Sequence, residues 1–285
     1  LVCVKDNDHN LKAFAQATTP SRLPDFVRNI TSFVSRNGYD GVDIDWEANV
    51  DVAQYANLLS RLRTAMPQKI ITLAVGDWQD LDRVAAESQP RVDQINVMCY
   101  DMDNGQNCHG LNCSWHDAAL FQAGERDKRT CDHRVNAFTR AGVSPGKIGI
   151  GLPFFGRLRS GTDQPEVFGS FPSNTVYFRD LTTDSSRWQK SFTHFDQKFG
   201  AEYLSIPKRN EFVSYVGAES IKEAVRWQQK ENFGGLMTFA LEYEYLQKQS
   251  GNARYPLSSV LYGQVVKANS ESAKENVQRP KVPSR

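Results

Sequence analysis

From Val42 to Glu47 the chain alternates without a break. Val42, Ile44 and Trp46 fall on one side, and Asp43, Asp45 and Glu47 fall on the other. A period of two is strand geometry, so three carboxylates share one face of one strand, neighbours standing roughly 6–7 Å apart. A valine, an isoleucine and a tryptophan on the opposite face require burial, which excludes an exposed edge strand with a solvated acidic side. Like charges at that range in a partly dry site resist ionising together, so at least one of these carboxyls is expected to keep its proton near neutrality. A carboxylic acid in that state is what general acid catalysis needs.

The rest of the chain supplies the frame. Strands are expected at Leu1, Val42, Ile70, Ile95, Ile148 and Gly235, separated by helical stretches. The first helix is read from about Leu23, with Phe26, Ile30, Phe33 and Val34 inward, Pro24 and Asp25 in its first turn, and Asn37-Gly38 ending it. A second runs from about Val52 to Ala65 with Tyr55, Leu58, Leu59 and Leu62 inward. Strand and helix in alternation predict parallel strands with helical crossovers. The chemistry-bearing residues Glu47, Tyr100, Asp101, Arg157 and Glu242 lie at or just past strand ends, where open α/β sheets and (β/α)8 barrels both place their sites. No Gly-x-Gly-x-x-Gly follows a strand, so a dinucleotide fold is not supported. An inward face of three acids suits a barrel mouth, yet six strands fall short of the eight a closed barrel needs.

Residues 158–215 break the rhythm with short β-like runs and aromatics, and read as a small α+β insertion. Beyond Lys267 the sequence is polar without apolar periodicity and reads as a disordered tail. A net charge of +1 points to neither nucleic acid nor a membrane surface as partner, and no apolar run approaches the roughly 18 residues of a membrane span. The chain opens on Leu1-Val2-Cys3-Val4, which reads as the middle of a strand, with no initiator Met; the expectation is a piece of something longer.

Of five cysteines, Cys108, Cys113 and Cys131 fall in one polar segment, which suggests a disulfide-stapled loop and an oxidising compartment. A metal site using His109, His116 and His133 is the alternative, but no zinc-like paired spacing is present. Cys3 and Cys99 read as buried free thiols.

With these residues in place the sequence resembles glycoside hydrolase family 18, the chitinases and their relatives. Asp40 to Glu47 meets its signature Asp-Gly-x-Asp-x-Asp-x-Glu in full. Met98-Cys99-Tyr100-Asp101 is similar to its Met-x-Tyr-Asp, and Gly151-Leu152-Pro153-Phe154-Phe155-Gly156-Arg157 to its Gly-x-Pro-Phe-Tyr-Gly-Arg. Gly234-Gly235-Leu236-Met237-Thr238-Phe239 is similar to its Gly-Gly-x-Met-x-Trp. The resemblance implies a (β/α)8 barrel over residues 1–266, incomplete because its first two βα units are missing, with the tail at 267–285.

It also implies retaining hydrolysis of β-1,4-linked N-acetylglucosamine polymers, without cofactor or metal, by a secreted protein acting as a monomer on chitin or chitooligosaccharides. Family 18 departs from the two-carboxylate scheme because the substrate's own acetamido oxygen attacks the anomeric carbon. By resemblance Glu47 is the acid and later the base, while Asp45 holds the amide N–H and shares a proton with Asp43. Tyr100 bonds the acetamido oxygen, Met98 and Asp101 line the pocket, and Asp40 is structural, bonding loop amides.

Phe239 stands where the family has Trp, and Phe155 where it has Tyr, which weakens sugar contacts but leaves the acids intact. Trp78 and Trp115, in loops at strand ends, are candidate sugar platforms, and Arg157 is read as a substrate contact or the partner of an acid in the insertion. Trp188 and Tyr203 read as packing, His116 as a loop hydrogen bonder, and Glu242 and Glu244 as solvated loop charges. The rival readings are a non-catalytic chitin-binding lectin, an endo-β-N-acetylglucosaminidase, and a barrel enzyme that binds a divalent metal.

Overall fold

Aliphatic runs flanked by turn residues make each strand of the larger sheet, and amphipathic helices return the chain between them. The computed structural model describes residues 1–6, 9–103, 108, 110–124 and 129–278, the side chains of 271–278 excepted. In chain order the elements are β1 (Val2–Lys5), α1 (Ala13–Ala17), α2 (Leu23–Arg36), β2 (Gly41–Asp45), α3 (Val52–Ala65), β3 (Ile70–Val75), α4 (Leu81–Ser88), β4 (Gln94–Val97), α5 (Cys131–Arg140) and β5 (Ile148–Pro153). There follow β6 (Phe155–Ser160), β7 (Ser173–Tyr177), α6 (Phe178–Thr183), β8 (Thr193–Asp196), β9 (Ala201–Ile206), β10 (Glu211–Tyr215), α7 (Ala218–Lys230), β11 (Gly235–Phe239) and α8 (Pro256–Gln278). The chain packs as two units. Leu1–Asn104, Ala118–Leu152 and Glu231–Met237 form the first; Gly105–Asp117, Pro153–Lys230 and Thr238–Arg285 form the second.

In the first unit the sheet order is β1-β2-β3-β4-β5-β11, built on the six strands expected from sequence. The pairs from β1 to β5 are parallel, with Val42 abreast of Val2 and Ile71. The apolar side of β2 is core: Val42, Ile44 and Trp46 are fully buried. Helix α2 buries Leu23, Val27, Ile30 and Val34, so its inward face is rotated from the expected one. Phe33 is instead exposed and stacks on Tyr39, centroids 6.1 Å apart. Helix α3 buries Tyr55, Leu58, Leu59 and Leu62 as its spacing predicts, and the Asp51 carboxylate caps it by accepting the Gln54 amide at 2.9 Å.

The second unit carries an antiparallel sheet, β7-β6-β10-β9-β8, over the stretch read as an insertion. Glu202 is buried and accepts the Ser220 amide at 2.9 Å, closing the N-terminus of α7. Glu244 corrects its reading as a solvated charge. It is fully buried and accepts the Leu257 amide at 2.6 Å, capping α8. That helix runs to Gln278, where polarity alone predicts a disordered tail from 267. Alanine, lysine, glutamate and glutamine propagate a helix without an apolar face. Among the described residues no helix is long and apolar enough to cross a membrane.

Two cysteine readings change. Cys99 bonds Cys131, and Cys108 bonds Cys113; Cys3 is free and exposed on an edge strand. Adjacency in sequence shows neither that β4 ends beside the start of α5 nor that β1 has one open edge. His109 lies outside the described residues.

Candidate active site

The acidic strand is placed by its glycine. A Cβ on Gly41 would stand 1.8 Å from the carbonyl oxygen of Ile70, so only glycine lets β2 approach β3 this closely. The strand end is fixed from behind. The Tyr55 hydroxyl donates to the Ile44 carbonyl at 3.0 Å, and the Trp46 indole donates to the Ala48 carbonyl at 2.7 Å. Trp46 stacks on Phe14 at 5.3 Å. Asp40 is exposed, and what it bonds is the Ile70 amide, through its backbone carbonyl at 3.1 Å. The expected bonds from its side chain to loop amides are absent among the described residues.

On the other face the register sets Asp43 between Cys3 and Thr72. The Thr72 hydroxyl donates to Asp43 Oδ1, and Asn96 Nδ2 donates to the same oxygen at 3.0 Å. Gln94 orients Asn96 through a 2.7 Å bond. Burial nonetheless pushes the Asp43 carboxyl up, the Thr72, Asn96 and Cys3 donors opposing it. Asp45 is 7 % exposed, and burial, followed by the charges of Glu47 and Asp43, pushes it up to about 8. Glu47 is half-buried and is also raised, first by burial and then by Asp6 and Asp101, while a hydrogen bond from Asp45 and the charge of Lys5 oppose the rise. Asp45 and Glu47 thus both hold their protons more tightly than free carboxyls do, because both are partly buried and each lies near other acids.

Met98 and Tyr100 follow β4 and are buried; Asp101 follows them with φ +56°, in the left-handed region that aspartate tolerates better than most residues. Burial, with Asp45 and Asp101 next, pushes the Tyr100 phenol well up, so it stays a neutral donor. This segment is fastened by a residue that sequence reading passed over. Arg134 on α5 donates through Nη1 to the carbonyls of Met98 and Tyr100, the latter at 2.7 Å, and its Nε meets Asp77 at 3.0 Å. Its guanidinium lies 5.2 Å from the centroid of the half-buried Trp78 ring. A Cβ on Gly76 would come within 1.9 Å of that ring, so glycine makes room for the indole.

In the second unit Trp115 does not serve as an exposed platform. It is fully buried, edge-on to Phe199 at 4.7 Å, and its indole is core. His116 meets Asp196 at 3.1 Å, as a loop hydrogen bonder does. Arg157 pairs with Asp117 at 3.5 Å, an acid outside the insertion expected to supply its partner, and donates a 2.8 Å bond to the Thr175 hydroxyl. Trp188 packs on Phe178 and Tyr215, and Tyr203 beside His116 and His194. Phe239 and Phe155 stand perpendicular at 6.5 Å, and both meet Tyr243, at 5.8 and 6.3 Å, which itself stacks on Tyr177 at 4.3 Å.

Known proteins match this sequence and this fold. The model of glycosyl hydrolases family 18 covers residues 6–244. "Chitinase 1" of Aphanocladium album is 26% identical over 253 residues, which make up 78% of this chain and 56% of that protein. The chain spans about half the length of the curated relatives it matches. The Group IV chitinase of Ostrinia furnacalis in complex with allosamidin superposes with TM-score 0.75 at 21% identity, over 93% of this chain and 79% of that one. The chitinase-like agglutinin of Robinia pseudoacacia superposes with TM-score 0.72 at 20% identity, over 92% of this chain and 80% of that one.

Proposed function

The chain belongs to glycosyl hydrolases family 18, and on that premise we propose that it hydrolyses β-1,4-linked N-acetylglucosamine polymers with Glu47 as general acid and base. The observation that carries this reading is the row of carboxyls from Asp43 to Glu47, each with raised proton affinity, on a strand whose other face is core. Glu47 protonates the glycosidic oxygen while the substrate's acetamido oxygen closes on the anomeric carbon. Asp45 accepts the acetamido N–H and shares a proton with Asp43 behind it. Tyr100, kept neutral, donates to the acetamido oxygen, and Met98 and Asp101 line the pocket. Glu47 then takes a proton from the water that opens the oxazolinium. Trp78 offers an apolar face to a sugar ring. Arg157 serves by fixing Asp117. The two disulfides support an oxidising, extracytoplasmic setting.

One observation favours a second reading, a chitin-binding lectin: an agglutinin shares the fold, and Phe239 and Phe155 replace two polar-edged rings of the family motifs. Glu47 argues against it. A chromogenic chitooligosaccharide separates the two. Turnover with a bell-shaped pH profile is expected, falling on the order of 10²–10⁴-fold in Glu47→Gln with binding retained. A wild type that binds the sugar and never cleaves it establishes the lectin.

A further inference from the structure

We propose that Asp6 is a positioning residue for Glu47, clamping the peptide groups from which that side chain hangs and setting a fixed negative charge beside it. The inference rests on the reading of Glu47 as the acid.

Strand β2 runs out of sheet partners before it reaches Glu47. Its ladder with β3 ends at the pair Ile44 and Leu73, and its ladder with β1 ends at Lys5 and Asp45. One further bond, from the Asp6 amide to the Asp45 carbonyl at 3.1 Å, brings the Asp6 side chain abreast of the next two residues. Its Oδ2 accepts the amide of Glu47 at 2.7 Å and that of Ala48 at 2.8 Å. A carboxylate thus replaces the missing strand with two charge-assisted bonds at the one place where the acid's backbone leaves the sheet.

The other oxygen, Oδ1, is shielded from solvent and makes no hydrogen bond. A neutral side chain would hold the two amides as well; a half-buried carboxylate whose shielded Oδ1 makes no hydrogen bond sets a charge beside Glu47 in addition. Among the described residues the charged and titratable groups around Glu47 are Asp6 and Lys5 from the end of β1, Asp45 from β2 with Asp43 behind it, and Tyr100 and Asp101 from beyond β4. After burial, Asp6 contributes most to the raised proton affinity of Glu47, ahead of Asp101, and Lys5 opposes it. The same side chain therefore aims the acid and favours its protonated form.

Two substitutions separate these effects. Asp6→Asn keeps an acceptor of the same shape and removes the charge; Asp6→Ala removes both. The Glu47 carboxyl is followed by carbon-13 NMR titration and identified by its absence in Glu47→Gln; hydrolysis of a chromogenic chitooligosaccharide is measured beside it. Asp6→Asn is expected to weaken the proton affinity of Glu47 by on the order of tenfold, moving its titration and the basic limb of the activity profile to lower pH while kcat at the optimum holds. Asp6→Ala is expected to lower kcat a further ten- to a hundredfold, on the order that a misplaced reacting group costs. A Glu47 titration unmoved in Asp6→Asn overturns the electrostatic role, and equal kcat in the two variants overturns the clamp. Should the wild type fail to hydrolyse any substrate, the proposed activity falls, while the titration still decides for or against Asp6.

Discussion

The guanidinium of Arg134 lies 2.7 Å from the carbonyl oxygen of Tyr100. A helix residue thereby holds the strand-end segment that brings Met98, Tyr100 and Asp101 to the acids, and burial lowers the affinity of Arg134 for its own proton, Asp77 opposing. Removing the cation leaves Asp77 and two carbonyls without their donor. Arg134→Met is expected to cost about 1.5–3 kcal/mol, the range for charge-assisted hydrogen bonds whose buried carbonyl acceptors lose their donor, read from the urea midpoint. Arg134→Lys keeps the charge but not the fork, and should recover less than half of that loss. A change below about 1 kcal/mol in the Met variant removes Arg134 from this role.

Asp45 makes the stability of the protein depend on pH. Its carboxyl is pushed up to about 8, against about 3.9 in an unfolded chain. Between those values the native state holds a proton that the unfolded state has lost. The stability this contributes is complete below about pH 4 and falls as pH rises through 8, by at most roughly 1.4 kcal/mol per unit. Asp45→Asn cannot ionise, so it should match the wild type near pH 4 and exceed it at pH 8, while hydrolysis drops. Thermal midpoints at pH 4, 6 and 8 check this; parallel curves for the two proteins would show that Asp45 is ionised throughout.

Much of the site is legible in the sequence because its signal is local. The alternation from Val42 to Glu47 states which side chains share a face, and the structure buries the apolar three as that requires. What was not legible depends on which distant segments meet. A single arginine on an amphipathic helix reads as a solvated charge until the carbonyls of residues 98 and 100 are found beneath it. Trp115 occupies a loop in both readings, but only the fold brings Phe199 against it. Asp6 follows a strand as many aspartates do, and nothing in its neighbours announces the Glu47 amide. Glu244 lies two residues from Glu242 with the same composition around it, yet one is a buried cap and the other is exposed.

The Cys99–Cys131 bridge joins the same two elements as Arg134, since Cys99 lies between Met98 and Tyr100 and Cys131 opens α5. It closes a separation of 32 residues, so replacing both cysteines by serine should cost about 3–4 kcal/mol, chiefly through the freedom returned to the unfolded chain. The Cys108–Cys113 bridge spans a separation of 5, and its loss should cost about 2 kcal/mol. Bridge and guanidinium each hold the segment when the other is gone, so neither single loss frees it completely. Combining Arg134→Met with Cys99→Ser and Cys131→Ser should therefore destabilise by more than the sum of the separate losses, by about 0.5–3 kcal/mol, the range for residues that act on one element. Urea midpoints of the four proteins close the cycle. Losses that add to within about 0.5 kcal/mol would mean that the two fastenings act on the segment independently.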